Sequence, residues 1–211
     1  WLIPRLPLLA QAHPDIVVHI DTQTRHFLVA ETTFDAALYA GTPEQVAHWP
    51  GVQAQLLMHE DVVPVCSPRL LESAAPRGRG RAHQPVAAEA LAELPLLQQS
   101  TRPYGWRQWF DAMGVDAPHA LDGPRYELFS MLAVAATHGM GVALMPPLLI
   151  EAELASGELV VACNRPLRGE RAYYLISPAQ AQPPVLTTFA QWLQTMAQTA
   201  TSAAGQAGGG G

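Results

Sequence analysis

The stretch from Phe129 to Leu149, FSMLAVAATHGMGVALMPPLL, constrains the chain more than any other, because a helix, a glycine turn, a buried strand and a proline stop follow one another directly. Apolar residues at Leu128, Met131, Leu132 and Ala135 recur at helical spacing, and Gly139 ends that helix. Val142 to Met145 is an unbroken apolar run terminated by Pro146. Such a succession builds an α/β sheet unit. In open α/β sheets ligands lie beyond the carboxyl ends of the strands and at helix amino termini, so those ends are where function is sought.

The rest of the chain repeats this alternation. The opening segment WLIPRLPLLAQAHP reads as an amphipathic helix, and β-branched residues 16–20 (IVVHI) predict a strand that ends at Asp21, Thr22, Gln23 and Thr24. A short helix is expected over 25–32 and a strand over 34–39, closed by Gly41. Two strands are expected over 53–58 and 61–66, and Pro64 suggests that the second is an edge or a crossover. Residues 74–89 read as a surface loop, 94–98 as a short buried strand, and 106–113 as a helix ending at Gly114 with Trp106 and Trp109 on one face. Then come a helix over 147–155, strands over 158–162 and 172–176, and an amphipathic helix over 184–199. From Thr201 onward no core-forming residue remains, and a disordered tail is expected. This order predicts one or two mostly parallel sheets, with two strand passes between two lobes and a ligand cleft where the lobes meet.

Composition removes several functions. The chain has 211 residues, 49% of them hydrophobic and 14% charged, enough for a sizeable core. A net charge of −6 argues against these residues gripping a phosphate backbone, which needs a basic face. No run approaches the roughly 18 apolar residues that span a bilayer, and no secretory signal is read. The start at Trp1 rather than at a methionine suggests a piece of a longer protein. Cys66 and Cys163 stand far apart outside any CxxC spacing and read as buried apolar thiols. The eight histidines show neither HxxxH nor clustering with cysteine, so no metal is expected. Gly139-Met140-Gly141 follows a helix and opens a strand, the reverse of a dinucleotide fingerprint, and Ser67 before Pro68 is on no nucleophile turn. Neither a cofactor nor a catalytic residue is expected.

Strand ends nominate Thr22, Gly41, Ser100, Thr101 and Pro146 as ligand-facing positions, and the helix starting near Phe129 adds unpaired N–H donors suited to an anion. Arg102 and Arg125 are the cations within reach in the sequence.

Six motifs in register resemble the effector-binding half of LysR-type transcriptional regulators: Trp1-Leu2-Ile3-Pro4-Arg5-Leu6, His13-Pro14-Asp15-Ile16, Phe34-Asp35-Ala36-Ala37, Trp49-Pro50-Gly51, Pro64-Val65-Cys66-Ser67-Pro68 and the run Gly139 to Leu144. The resemblance covers roughly residues 1–197 and is strongest to the glycine-cleavage and β-lactamase-inducing branch. It implies a two-lobed periplasmic-binding-protein-like (type 2) fold with two crossover strands. Lobe I would comprise 1–66 and 174–197, lobe II 67–173, and the tail 198–211. It further implies that a DNA-binding domain, and the first strand of lobe I, stand upstream of Trp1 in full-length members. Thr22, Ser100, Thr101, Leu128, Phe129 and Tyr173 fall where related regulators contact a small-molecule effector. Homodimers or tetramers would form through the opening helix and strand 16–20, promoter DNA would be held only by the upstream domain, and the protein would work in the cytoplasm without a membrane. A solute-binding protein of a transport system shares this fold and is the alternative expectation.

Overall fold

The computed structural model describes residues 1–23, 33–74, 85–180 and 182–207. The short helix expected over 25–32, most of the loop expected over 74–89 and the last four residues lie outside them. Two compact units divide the chain, one formed by Trp1–Glu60 with Gly169–Gly211 and the other by Asp61–Arg168.

In the first unit a 3₁₀ turn at Ile3–Arg5 leads into helix α1 (Leu6–Ala12), each with a proline in its opening residues. There the missing N–H is one that no helical carbonyl needs, and the fixed φ already suits a helix. Strand β1 (Ala37–Gly41) is followed by helix α2 (Pro43–Ala47), and Thr42 caps the helix reciprocally: its hydroxyl accepts from Gln45 N–H while its own N–H donates to Gln45 Oε1. β1 pairs antiparallel with the long strand β7 (Leu167–Pro178), from Ala37 opposite Ile176 to Gly41 opposite Ala172. Val46, Ala172, Tyr174 and Ile176 form a small core beside the Tyr39 and Trp49 rings, 4.7 Å apart.

Several expectations for this unit change. Residues 16–20 are in no strand, and Val17 and Ile20 are exposed. β-branched sequence favours extended backbone, but a strand also needs a neighbouring ladder, and no described segment supplies one there. The strand expected over 34–39 begins at Ala37, leaving Phe34, Asp35 and Ala36 outside it. The two strands expected over 53–66 are a single one, β2 (Val52–Cys66), because no turn residue separates Met58 from Asp61. The last helix, α8 (Pro184–Ala207), continues past Thr199 through alanine-rich sequence that favours helix, where a disordered tail had been expected.

In the second unit the strands are β3 (Leu96–Gln99), β4 (Arg125–Tyr126), β5 (Val142–Met145), β6 (Val160–Val161) and the later part of β2. β3 pairs parallel with β4 on one side and with β5 on the other, while β2 pairs antiparallel with both β5 and β6. The sheet is therefore mixed rather than mostly parallel, because β2 enters against the direction of β3 and β5. Pro64 is not at an edge, since β2 lies between β5 and β6. Its carbonyl accepts from Ala162 N–H (2.8 Å), and the Ala162 carbonyl, which Pro64 has no N–H to reach, accepts from Val86 N–H instead (2.7 Å).

Helices α3 (Pro68–Ala74), α4 (Ala88–Leu91), α5 (Gly105–Met113), α6 (Phe129–Thr137) and α7 (Glu151–Ser156) complete the unit. α5 ends at Gly114 in the left-handed conformation (φ 73°), as its sequence predicts. Successive residues of a strand point to opposite faces, and here they feed two different cores. Leu96, Val142 and Leu144 pack with Trp106, Trp109 and Phe110 of α5, whereas Leu97, Ala143 and Met145 pack with Leu132, Ala135 and Ala136 of α6. Cover on both faces explains why β5, and the Leu96-Leu97 start of β3, read as continuous apolar runs instead of alternating ones.

Candidate functional site

Parallel pairing of β3 and β4 sets two turns side by side. Gln98 N–H donates to Pro124 C=O (2.9 Å) and Ser100 N–H to Tyr126 C=O (2.8 Å), so Ser100 and Thr101 emerge next to Glu127, Leu128 and Phe129. Leu128 is the N-cap of α6 in extended conformation, and no side chain caps that end. The first-turn N–H groups of α6 therefore form the partially positive end of the helix, with no acidic residue in its first turn.

Side chains tie the two turns further. Gln99, only 8% exposed, donates through Nε2 to Glu127 C=O (2.8 Å) and accepts through Oε1 from both Thr101 N–H and Thr101 Oγ1–H. Arg102 Nη1 donates to Thr101 Oγ1 (2.6 Å), and its guanidinium carbon sits 5.7 Å from the centre of the Phe129 ring. Behind them Gln98, almost fully buried, donates to Ala120 C=O and Asp122 C=O. Ser100 and Thr101 are exposed, and Leu128 and Phe129 half-buried, so this edge of the unit combines hydroxyls, a cation, a ring and free backbone donors. Such a set suits a small polar or anionic molecule.

Four of the six expected site residues, Ser100, Thr101, Leu128 and Phe129, thus come together in one unit. Thr22 and Tyr173 belong to the other. Thr22 is exposed, its N–H donating to Asp21 Oδ1 (2.7 Å), and Tyr173 is half-buried in β7 opposite Ala40. Gly41 closes β1 with a would-be Cβ 2.2 Å from the Tyr39 ring, which gives it a packing reason to be glycine. Arg125 is exposed and its Nη2 donates to Leu121 C=O (3.2 Å). The buried glutamines were not singled out from the sequence. Two consecutive amides closing an apolar run were the available signal, since a buried amide must find partners.

An open apolar groove of about 560 Å³ runs along the outer face of α6, lined among others by Tyr126, Met131, Val134 and Met140. Met131 had been read with the buried helical stripe, yet it is exposed, and Ala133 and Ala136 are buried instead. Cys66 and Cys163 are free and buried. Burial pushes the Cys66 thiol up to about 12, and raises that of Cys163 as well. Among the described residues no group of three or more His, Cys, Asp and Glu side chains is placed to hold a metal ion, and no helix is long and apolar enough to cross a membrane.

A two-unit α/β fold with long strands entering both units, and a polar edge at strand ends, is the architecture of a periplasmic-binding-protein-like ligand-binding domain. The chain belongs to the LysR substrate binding domain family, which matches residues 1–198. It is 31% identical over 194 residues to the glycine cleavage system transcriptional activator of Escherichia coli strain K12, a match covering 92% of this chain and 59% of that protein. The transcriptional regulator TrpI of Pseudomonas aeruginosa is 32% identical over 195 residues, covering 92% of this chain and 62% of TrpI. Among solved structures, the effector domain of the transcriptional regulator AmpR of Pseudomonas aeruginosa superposes with a TM-score of 0.77 at 26% identity, covering 98% of this chain and 92% of that one. The chain spans about 59% to 62% of the length of these curated relatives. All three are named as activators or regulators of transcription.

Proposed function

We propose that the chain senses a small metabolite for a regulator that acts at promoters, with Ser100, Thr101, Leu128 and Phe129 as the effector contacts of the second unit. Thr22 and Tyr173 are proposed as contacts supplied by the first unit. The observation that carries this reading is the hydrogen-bonded adjacency of the turn after β3 to the amino terminus of α6, which gathers four ligand-competent residues at one sheet end. Effector binding would favour one of two conformational states, and contacts between copies would pass that preference on to a DNA-binding domain elsewhere in the full-length protein. The chain itself performs no chemistry on its ligand. It works in the cytoplasm, as a homodimer or tetramer, away from the membrane.

Self-association is assigned to the opening helix and the segment after it, where Ile3, Leu8, Val17 and Ile20 are all exposed apolar residues of the first unit. A thermal-shift screen of the full-length protein against amino acids, aromatic acids and cell-wall fragments tests the sensing role. A ligand that binds only the folded state raises the melting temperature, and the shift grows with the logarithm of its concentration above Kd. No shift with any of these classes would count against the reading.

A further inference from the structure

Gln99 joins the two turns of the candidate site by a carboxamide whose two ends do different work. Its Nε2 donates to the carbonyl of Glu127, the residue before the α6 N-cap, and its Oε1 accepts two hydrogen bonds from Thr101. The partners fix which end is which, because a carbonyl takes only a donor and an N–H only an acceptor. Among side chains of this size, glutamate lacks the donor, leucine lacks both, and only the amide serves both turns. The direction then propagates. The Thr101 hydroxyl proton is committed inward to Gln99, so its oxygen is left to accept from Arg102 Nη1, and Arg102 lies over the Phe129 ring.

We propose that Gln99 is a positioning residue for effector recognition, holding the Ser100–Thr101 turn in register with the start of α6 and, through Thr101, setting Arg102 on Phe129. The proposal rests on the effector reading of this site. Thr101, one of the proposed effector contacts, is thus also the link from Gln99 to Arg102.

The test compares Gln99→Leu and Gln99→Glu with the unaltered chain by amide hydrogen exchange, by the carbonyl carbon resonance of Glu127, and by calorimetric titration of whichever amino acid, aromatic acid or cell-wall fragment the unaltered chain binds. Gln99→Leu is expected to speed exchange at the Thr101 amide by about tenfold or more, to shift the Glu127 carbonyl resonance, and to weaken binding by about tenfold. Gln99→Glu keeps the acceptor, so Thr101 stays protected within about threefold while the Glu127 signature is lost. A residue that only fills space would give the opposite pattern: leucine tolerated, both turns unchanged, affinity unchanged. Should the leucine variant not fold, the split response of the glutamate variant decides alone, and loss at both turns together would overturn the proposal. A binder found for the unaltered chain whose affinity survives Gln99→Leu overturns this proposal but leaves the effector reading intact. A chain that binds nothing in the panel overturns the reading itself, and this proposal with it.

Discussion

Asp61 and Arg168, the first and last residues of the second unit, meet through two parallel hydrogen bonds, Arg168 Nε to Asp61 Oδ1 at 2.8 Å and Nη2 to Oδ2 at 2.7 Å. The fork geometry of guanidinium and carboxylate makes this the strongest form of surface ion pair. Those bonds, and the carboxylate charge beside them, raise the Arg168 guanidinium above its ordinary range.

Its contribution to stability is nevertheless small. Arg168 and Asp61 side chains are 63% and 38% exposed, and water and salt screen such a pair. Asp61→Asn or Arg168→Gln is expected to cost about 0.5–1 kcal/mol in urea unfolding, with the coupling in a double-mutant cycle shrinking as salt is raised.

Cys66 provides the clearest pH signature. Its thiol is pushed by burial up to about 12 from an ordinary value near 9, so the folded chain holds the proton more tightly than the unfolded chain. The sign follows: stability from this group is complete below about pH 9 and declines as pH rises from there toward 12. Urea midpoints measured from pH 8 to 11 should fall more steeply for the unaltered chain than for Cys66→Ala. Parallel curves would contradict the assigned burial.

Self-association is tested on the exposed face of the opening segment. Leu8 is 50% and Val17 74% exposed, so Leu8→Asp and Val17→Asp should leave the melting temperature within a few degrees, about the noise of a surface change. Light scattering should then show a lower mass for the double variant than for the unaltered protein. An unchanged oligomeric mass would move the interface elsewhere.

Much of this fold is legible in local sequence, and what is not has physical causes. Gly114 and Gly139 mark helix ends because the left-handed backbone they adopt (φ 73° and 76°) is open to few other residues. Leu96-Leu97 and Val142 to Met145 announce strands covered on both faces. By contrast, residues 16–20 carry strand propensity without a partner, and partners are a property of the whole chain. Pro64 argued for an edge, but Val86 N–H satisfies the one carbonyl that the proline strands, a compensation no window around residue 64 contains. The candidate site divides in the same way. Ser100 and Thr101 follow from a strand end, the Phe129 position from a helix start and Leu128 from the family resemblance, whereas the role of Gln99 depends on a carbonyl 28 residues away that only the parallel β3–β4 pairing brings near.

The most direct test of the central claim is calorimetric titration of a metabolite from the thermal-shift screen into the full-length protein and its Ser100→Ala and Thr22→Ala variants. The effector reading predicts saturable binding that weakens by about tenfold when Ser100 loses its hydroxyl, the cost of one lost polar contact, and more modestly at Thr22. Unchanged affinity in both variants would contradict the placement of the effector at these residues.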